Sequence, residues 1–171
     1  MTLPQITPAA TPAQWEAAIL AILAAHFTQS DITINIQAGA LASTETLTTP
    51  ALLLEWEDGR MGAADGHGGH QVIYRLTLHC VLSQATPQVG SEIRLMATQV
   101  LTLVNQSQQW RCQNVGLPER LEMGPGKMQA GEQGYDSWYV TWEQSITLGD
   151  AIWTNTDGRL RAVEVSLAPQ A

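Results

Sequence analysis

The hydrophobic pattern changes its period once, within residues 70–104. From residue 72 to residue 82 the positions alternate, which predicts a strand with one apolar face. That face carries Val72, Tyr74, Leu76, Leu78, Cys80 and Leu82. Beyond residue 87 the apolar positions recur at helical spacing, at Val89, Ile93, Met96, Val100, Leu103 and Val104. This spacing predicts a helix that packs on the strand, with Thr86 as its N-cap and Pro87 in its first turn.

A second amphipathic helix is predicted near the start of the chain. Thr11 is suited to cap it, Pro12 to fill its first turn and Gln14 to complete a capping box. The stripe predicted to face the core consists of Trp15, Ala18, Ile19, Ile22, Leu23, His26 and Phe27. His26 is therefore predicted to be a core or boundary residue.

The remaining alternating stretches predict further strands. Four of them cover residues 32–36, 51–57, 110–115 (extended or followed by 117–123) and 138–148, and a last short strand is predicted at 160–167 after the Asp157-Gly158 turn. Two glycine-rich stretches, 58–70 and 124–134, are predicted to be flexible loops, since they bury too little surface to become ordered.

These elements predict an α+β fold in a single domain, residues 1–171, built as a mainly antiparallel or mixed sheet with two helices packed on one face. Residues 1–10 are expected to be a loose lead-in and residues 150–171 a C-terminal extension. The second face of the central strands carries Thr, Arg, His, Glu and Ser side chains. We expect this face to be either solvated or buried against a neighbouring subunit.

Composition and charge restrict the classes of partner. Apolar residues make up 44% of the chain and charged residues 14%, the net charge is −8, and Lys127 is the single lysine. Without a basic cluster, neither nucleic-acid backbone nor an anionic membrane surface is an expected partner. We find no pattern of a signal peptide and no apolar run of membrane-spanning length, so a soluble protein made in the cytoplasm is expected.

Candidate chemistry is sparse in the sequence. Asp65, His67 and His70 have side chains that bind divalent metals, but a glycine-rich loop does not preorganise them. Glu55 and Glu57 are paired carboxylates on one strand face, which is more often a solvent or interface side than a catalytic pair. Neither a G-x-S-x-G elbow nor a phosphate-binding loop is present. No catalytic, cofactor or metal site is predicted. Cys80 is expected to be a buried free thiol, and the sequence leaves a disulfide between Cys80 and Cys112 open.

The order of elements resembles that of the tail-terminator (tail-completion, minor tail) proteins of tailed bacteriophages and prophages, over roughly residues 11–150. The resemblance lies in the opening helix, Leu52-Leu53-Leu54-Glu55-Trp56-Glu57, the glycine-rich stretch, the long strand at 74–82, the helix at 93–104 and the strand at 138–146. Residues 160–167 lie outside it.

The resemblance implies a structural protein and not an enzyme. It implies a ring, usually hexameric, that caps the tail tube, stops tube polymerisation and offers a surface to head-completion or connector proteins. Partners would be other copies of the chain, the tail tube protein and the connector, in the bacterial cytoplasm and then in the virion tail. We expect the glycine-rich stretches to supply interface residues, with Arg60, His67, His70 and Lys127 as candidates.

Two other functions remain open from the residues alone. One is a small ligand- or peptide-binding module that uses an edge of the sheet. The other is a metal-dependent hydrolase that uses His67, His70 and a carboxylate.

Overall fold

The fold is a five-stranded sheet with two helices on one face. The computed structural model describes residues 10–28, 33–39, 47–64, 69–126 and 134–148. The elements are α1 (Pro12–Phe27), β1 (Asn35–Ala38), β2 (Ala51–Ala64), β3 (His70–Ser83), α2 (Val89–Ser107), β4 (Glu119–Pro125) and β5 (Tyr135–Leu148). Strand order is β1-β2-β3-β5-β4, with β1 parallel to β2 and every other neighbouring pair antiparallel. The predicted α+β fold with a mixed sheet is confirmed.

Helix α1 begins with the predicted capping box. The Thr11 hydroxyl accepts from the Gln14 amide at 3.3 Å, and the Gln14 side chain accepts from the Thr11 amide at 2.8 Å. The buried side chains of α1 are Trp15, Ile19, Leu23 and Phe27. His26 is exposed, so the prediction that it is a core or boundary residue is wrong. It lines an open groove between the ends of α1 and α2 instead of packing on the sheet.

The core lies between the helices and one face of β2, β3 and β5, which we call the covered face. The strands contribute alternate residues that are almost fully buried: Leu52, Leu54, Leu76, Leu78, Cys80, Val140, Trp142 and Ile146. Helix α2 meets them with Ile93, Met96, Ala97, Val100, Leu103 and Val104. The change of hydrophobic period within residues 70–104 thus marks the β3-to-α2 connection, and the strand and helix on either side of it share one core.

The start of α2 differs from the prediction. The helix begins at Val89, after a turn in which the Thr86 amide donates to the Ser83 carbonyl at 3.0 Å. Its N-cap is Gln88, with a left-handed φ of 51° and no capping side chain. Thr86 and Pro87 belong to the turn that leads into the helix, so they are neither its cap nor its first turn.

The first glycine-rich stretch is mostly strand, which corrects the predicted loop at 58–70. Strand β2 continues to Ala64 because its main chain pairs with β3, with Gly59 opposite Tyr74. The Tyr74 ring covers Gly59 so closely that a Cβ there would lie 2.8 Å from a ring carbon. An aromatic side chain thus fills the space that the glycine leaves in the sheet.

Two further predictions are corrected or lie outside the described residues. The stretch 110–115 is a turn and not a strand, since Trp110 and Arg111 have positive φ, and Val115 alone bridges to Ile146. The second glycine-rich stretch is partly β4, which ends at Pro125, while residues 127–133 are not described. The lead-in at 1–9 and the predicted strand at 160–167 are also outside the described residues. No helix in the described part has the length and apolarity to cross a membrane.

Candidate functional site

The sheet face opposite the helices, which we call the polar face, is organised around a buried carboxylate. Glu143 of β5 is 6% exposed and carries two ion pairs. Arg60 Nη2 of β2 lies 2.6 Å from one carboxylate oxygen, and Arg120 Nη1 lies 3.1 Å from the other. Since β3 separates β2 from β5 in the sheet, Arg60 reaches across a strand to make its contact. The triad therefore ties β2 and β4 to β5.

The charges of the triad reinforce one another. The hydrogen bond from Arg60, with the nearby charge of Arg120, holds the pKa of Glu143 below its ordinary value of 4.5 despite the burial. The same contact raises the pKa of Arg60. The side chains of Arg60 and Arg120 are 47% and 66% exposed, so their contribution is screened by water and salt. Glu143 is thus an ionised structural carboxylate at neutral pH.

A second polar cluster lies further along the same face. Thr77, 2% exposed, donates to Glu57 Oε1 at 2.6 Å, and its hydroxyl lies 3.0 Å from that of Thr141. Thr141 in turn donates to the Leu76 carbonyl at 3.0 Å. These contacts satisfy the hydroxyl groups of Thr77 and Thr141 without a covering helix, so this part of the face can be water-exposed or covered by a partner.

The polar face also carries a serine, a histidine and a carboxylate, the groups of a hydrolase triad. His79 Nε2 lies 2.7 Å from Glu55 Oε2. The Ser137 hydroxyl, however, is buried and makes no hydrogen bond, so it is not paired with a base as nucleophilic catalysis requires. Cys80 lies in the core on the covered face, and burial raises the pKa of its thiol to about 12. Neither residue has the environment of an activated nucleophile.

One polar side chain inside the covered face has a structural role that sequence reasoning missed. The Gln144 carbonyl oxygen accepts from the indole N–H groups of Trp110 and Trp142, each at 2.9 Å. Its amide nitrogen donates to the carbonyls of Gln108 at 2.5 Å and Gly116 at 2.7 Å. Gln144 therefore fixes the turn after α2 against β5. The available signal was a glutamine at a core position of β5, between Trp142 and Ile146.

The helices leave a groove and an exposed apolar side. The groove, of about 470 Å³, lies between the C-terminal parts of α1 and α2, with Ile22 and Leu103 among its lining residues and His26 and Arg111 as its ionisable ones. The side of α1 that faces away from the sheet is exposed and consists largely of alanines: Ala13, Ala17, Ala21, Ala24 and Ala25. The polar side chains of α1 are only Gln14, Glu16 and His26. Helix α1 is thus apolar around nearly its whole circumference.

The four residues predicted to lie in interface loops are in three different settings. Arg60 lies in β2 and binds Glu143, so it is not a loop residue. His70 is the exposed first residue of β3 and pairs with Ala64 and Leu148. His67 and Lys127 lie outside the described residues. In the described part, no group of three or more His, Cys, Asp or Glu side chains is arranged to hold a metal ion.

Comparison with known proteins gives a structural neighbour. No family model and no curated protein matches the sequence. Among solved structures, the fold is similar to the sheath/tube terminator of an extracellular contractile injection system (PVC) in its extended state. Identity is 17% and the TM-score 0.40, over 96% of this chain and 66% of that one, so the chain spans just under two thirds of the neighbour's length. A functional proposal for this chain therefore rests on its own residues and surfaces.

Proposed function

We propose that the protein is a structural component of a phage-type tail, which assembles as a ring on the end of the tail tube. The ring, hexameric in this proposal, stops polymerisation of the tube and offers a surface to a head-completion protein. Support comes from the order of elements that resembles tail terminators, and from surfaces suited to contacts between proteins. On this proposal the protein is not an enzyme and needs no cofactor. It assembles in the bacterial cytoplasm and ends in the virion tail.

The single observation that carries the proposal is the apolar circumference of α1. A surface helix of a monomer normally has one apolar stripe and a polar outer side. Here the outer side is a row of exposed alanines, which continues into the groove through Ala21 and Ala25. Such a smooth apolar surface favours close contact with another protein, because it can be desolvated without loss of hydrogen bonds.

A cyclic ring also needs two unlike surfaces on each subunit, since its contacts are heterologous. The alanine side of α1 is one such surface. The polar face is the other, with the buried carboxylate of Glu143 on β5 and the exposed Arg60 and Arg120 side chains beside it. Arg60 and His70 are both exposed in a single subunit and remain proposed interface residues, together with His67 and Lys127.

The proposal is tested by molar mass from light scattering as a function of concentration, with and without purified tail tubes. We expect a ring, or recruitment to tube ends seen by electron microscopy. The variant Ala17→Glu with Ala21→Glu places two charges on the outer side of α1, and we expect it to abolish assembly while leaving the circular dichroism spectrum unchanged. The matched control is Gln99→Glu, at an exposed position of α2.

Three outcomes would count against the ring. One is a monomer that ignores tubes at every concentration. Another is assembly that tolerates both glutamates in α1. The third is equal loss of assembly in the Gln99→Glu control, which would show sensitivity to net charge and not to this surface.

A further inference from the structure

The groove between α1 and α2 combines an apolar lining with a free cation. Its volume is about 470 Å³, and Ile22 and Leu103 are among its lining residues. Arg111 also lines it, is exposed, and forms no ion pair with any described residue. This arginine is not required as a cap for α2, since the Ser107 and Gln108 carbonyls at the end of that helix accept other hydrogen bonds. The groove therefore suits an occupant that carries an apolar side chain and a carboxylate.

Leu117 and Glu119 offer this combination on the polar face of the sheet. Leu117 is 56% exposed and lines a small cleft together with Ile73 and Glu143, two residues of that face. Glu119 is exposed and lines the same cleft, and no cation in the described part of the chain pairs with it. An apolar side chain and a free carboxylate thus lie beside the same cleft.

The main chain on both sides of Leu117 is held in place. The Gly116 amide donates to the Ser145 carbonyl at 2.8 Å, and the Gly116 carbonyl accepts from the Gln144 side chain at 2.7 Å. Pro118 follows, with a φ that its ring restricts. A side chain that is ordered before binding loses less conformational entropy on binding, so Leu117 is suited to anchor an interface.

A second exposed leucine, Leu95, fits the ring less well. It is 53% exposed, and Glu92 lies about one turn before it on α2. Both residues lie on the helix side of the sheet, which is also the side of the groove. Leu117 lies across the sheet from the groove, so it cannot enter the groove of its own chain and can reach only that of another copy.

We infer that Leu117 of one copy enters the groove between α1 and α2 of the next copy, where Glu119 pairs with Arg111. This contact joins the alanine side of α1, which continues into the groove, to the polar face of the neighbour. It is heterologous and can therefore repeat around a ring. The inference rests on the proposed ring and names the residues through which its neighbouring copies meet.

Charge reversal in two separate full-length variants tests the pairing. Arg111→Glu and Glu119→Arg each place like charges across the contact, so we expect each variant alone to lose assembly in light scattering, with or without tail tubes. An equal mixture restores opposite charges at every contact when the two variants alternate, and we expect it to assemble. Restoration by mixing requires a contact between copies. The control for the change in net charge is Arg94→Glu, at an exposed position of α2, which should assemble alone.

The apolar part of the contact is tested by Leu117→Ala. We expect the protein concentration needed for half-maximal assembly to rise about tenfold or more. Leu95→Ala removes the same side chain at a position of similar exposure and should leave this concentration unchanged. Urea denaturation of each variant reports that its subunits are folded.

The possible failures separate this contact from the ring itself. A wild-type protein that neither assembles nor is recruited to tubes would remove the ring and the contact together. If the wild type assembles and both charge variants also assemble alone, or if their mixture does not, the ring stands and the contact is wrong. A loss in Leu95→Ala that equals that in Leu117→Ala would assign the groove to α2 of the neighbour and overturn the inference.

Discussion

The two faces of the sheet are held together by different forces, although the same strands build both. On β5, Trp142 is fully buried on the covered face, and its neighbour Glu143 is 6% exposed on the polar face. The covered face is stabilised by burial of apolar surface, which depends little on pH or salt. The polar face has a small apolar cluster of Ala51, Leu53 and Val81, but around Glu143 and Thr77 it depends on hydrogen bonds and ion pairs that are weakened by water, protons and salt. Two residues that are buried to a similar extent, such as Trp142 and Glu143, can therefore contribute very different amounts to the stability of the fold.

The largest effect is expected from the polar group inside the covered face. Gln144→Met keeps the shape of the side chain but leaves the indole N–H groups of Trp110 and Trp142 without an acceptor. A buried unsatisfied donor costs about 1–3 kcal/mol, so we expect a loss of about 4 kcal/mol in the free energy of unfolding, measured by urea denaturation. The control Gln99→Met lies on the exposed side of α2 and should change stability by less than about 0.5 kcal/mol.

A core cavity should have the next largest effect. Leu78→Ala removes a side chain that is 0% exposed beneath the helices, and we expect a loss of about 3 kcal/mol. The matched control is Leu95→Ala on α2, where the leucine is 53% exposed and its loss should cost little. If the two variants were equally stable, the covered face would not be the main source of stability.

The sequence predicts the covered face better than the polar one, for a physical reason. Alternation in β3 and the helical spacing in α2 are local patterns, and both identify the side that packs in the core between sheet and helices. The alternation does not reveal that Thr77 and Val81, on the other side of β3, are buried as well. Arg60 and Glu143, by contrast, are separated by 83 positions, and no local pattern links them. The contact between Arg60 and Glu143 follows from the order of strands in the sheet, which a local sequence pattern does not contain.

The glycine content of β2 conceals its strand character for a related reason. Residues 58–64 lack the apolar surface to order themselves, which is why a loop was predicted. Their order comes from main-chain pairing with β3 and from the Tyr74 ring over Gly59, both of which are tertiary contacts. The turn around Trp110 was missed in the same way, because Gln144 fixes it from a distant strand.

The ion-pair triad of the polar face should contribute less, and in a pH-dependent manner. Glu143→Gln is expected to lower the free energy of unfolding by about 1 kcal/mol at pH 7 and low salt, since both arginine side chains are exposed to water. The folded-state pKa of Glu143 lies below its ordinary value of 4.5. Its contribution is therefore fully present above that value and is lost as the pH falls through the folded-state pKa.

Urea denaturation of wild type and Glu143→Gln at several pH values checks this dependence. The difference in the free energy of unfolding between wild type and Glu143→Gln should be constant around neutral pH and should disappear in acid. Added salt should reduce this difference. Glu122→Gln, at an exposed position of β4, is the control and should show no such difference. A Glu143→Gln effect that exceeded that of Leu78→Ala would reverse the ranking of the two faces.

The smallest effect is expected from the threonine cluster, and it offers the sharpest test of what covers the polar face. Thr77→Val keeps the shape of the side chain and removes the hydroxyl that donates to Glu57. In a single subunit Glu57 is exposed and can bind water instead, and Thr141 still donates to the Leu76 carbonyl. We therefore expect a loss of less than about 1 kcal/mol by urea denaturation of the monomer. If a neighbouring subunit excludes water from this face, the same substitution strands the Glu57 carboxylate, so it should weaken assembly measured by light scattering more than it weakens folding. Equal effects on folding and assembly would show that the polar face stays in water.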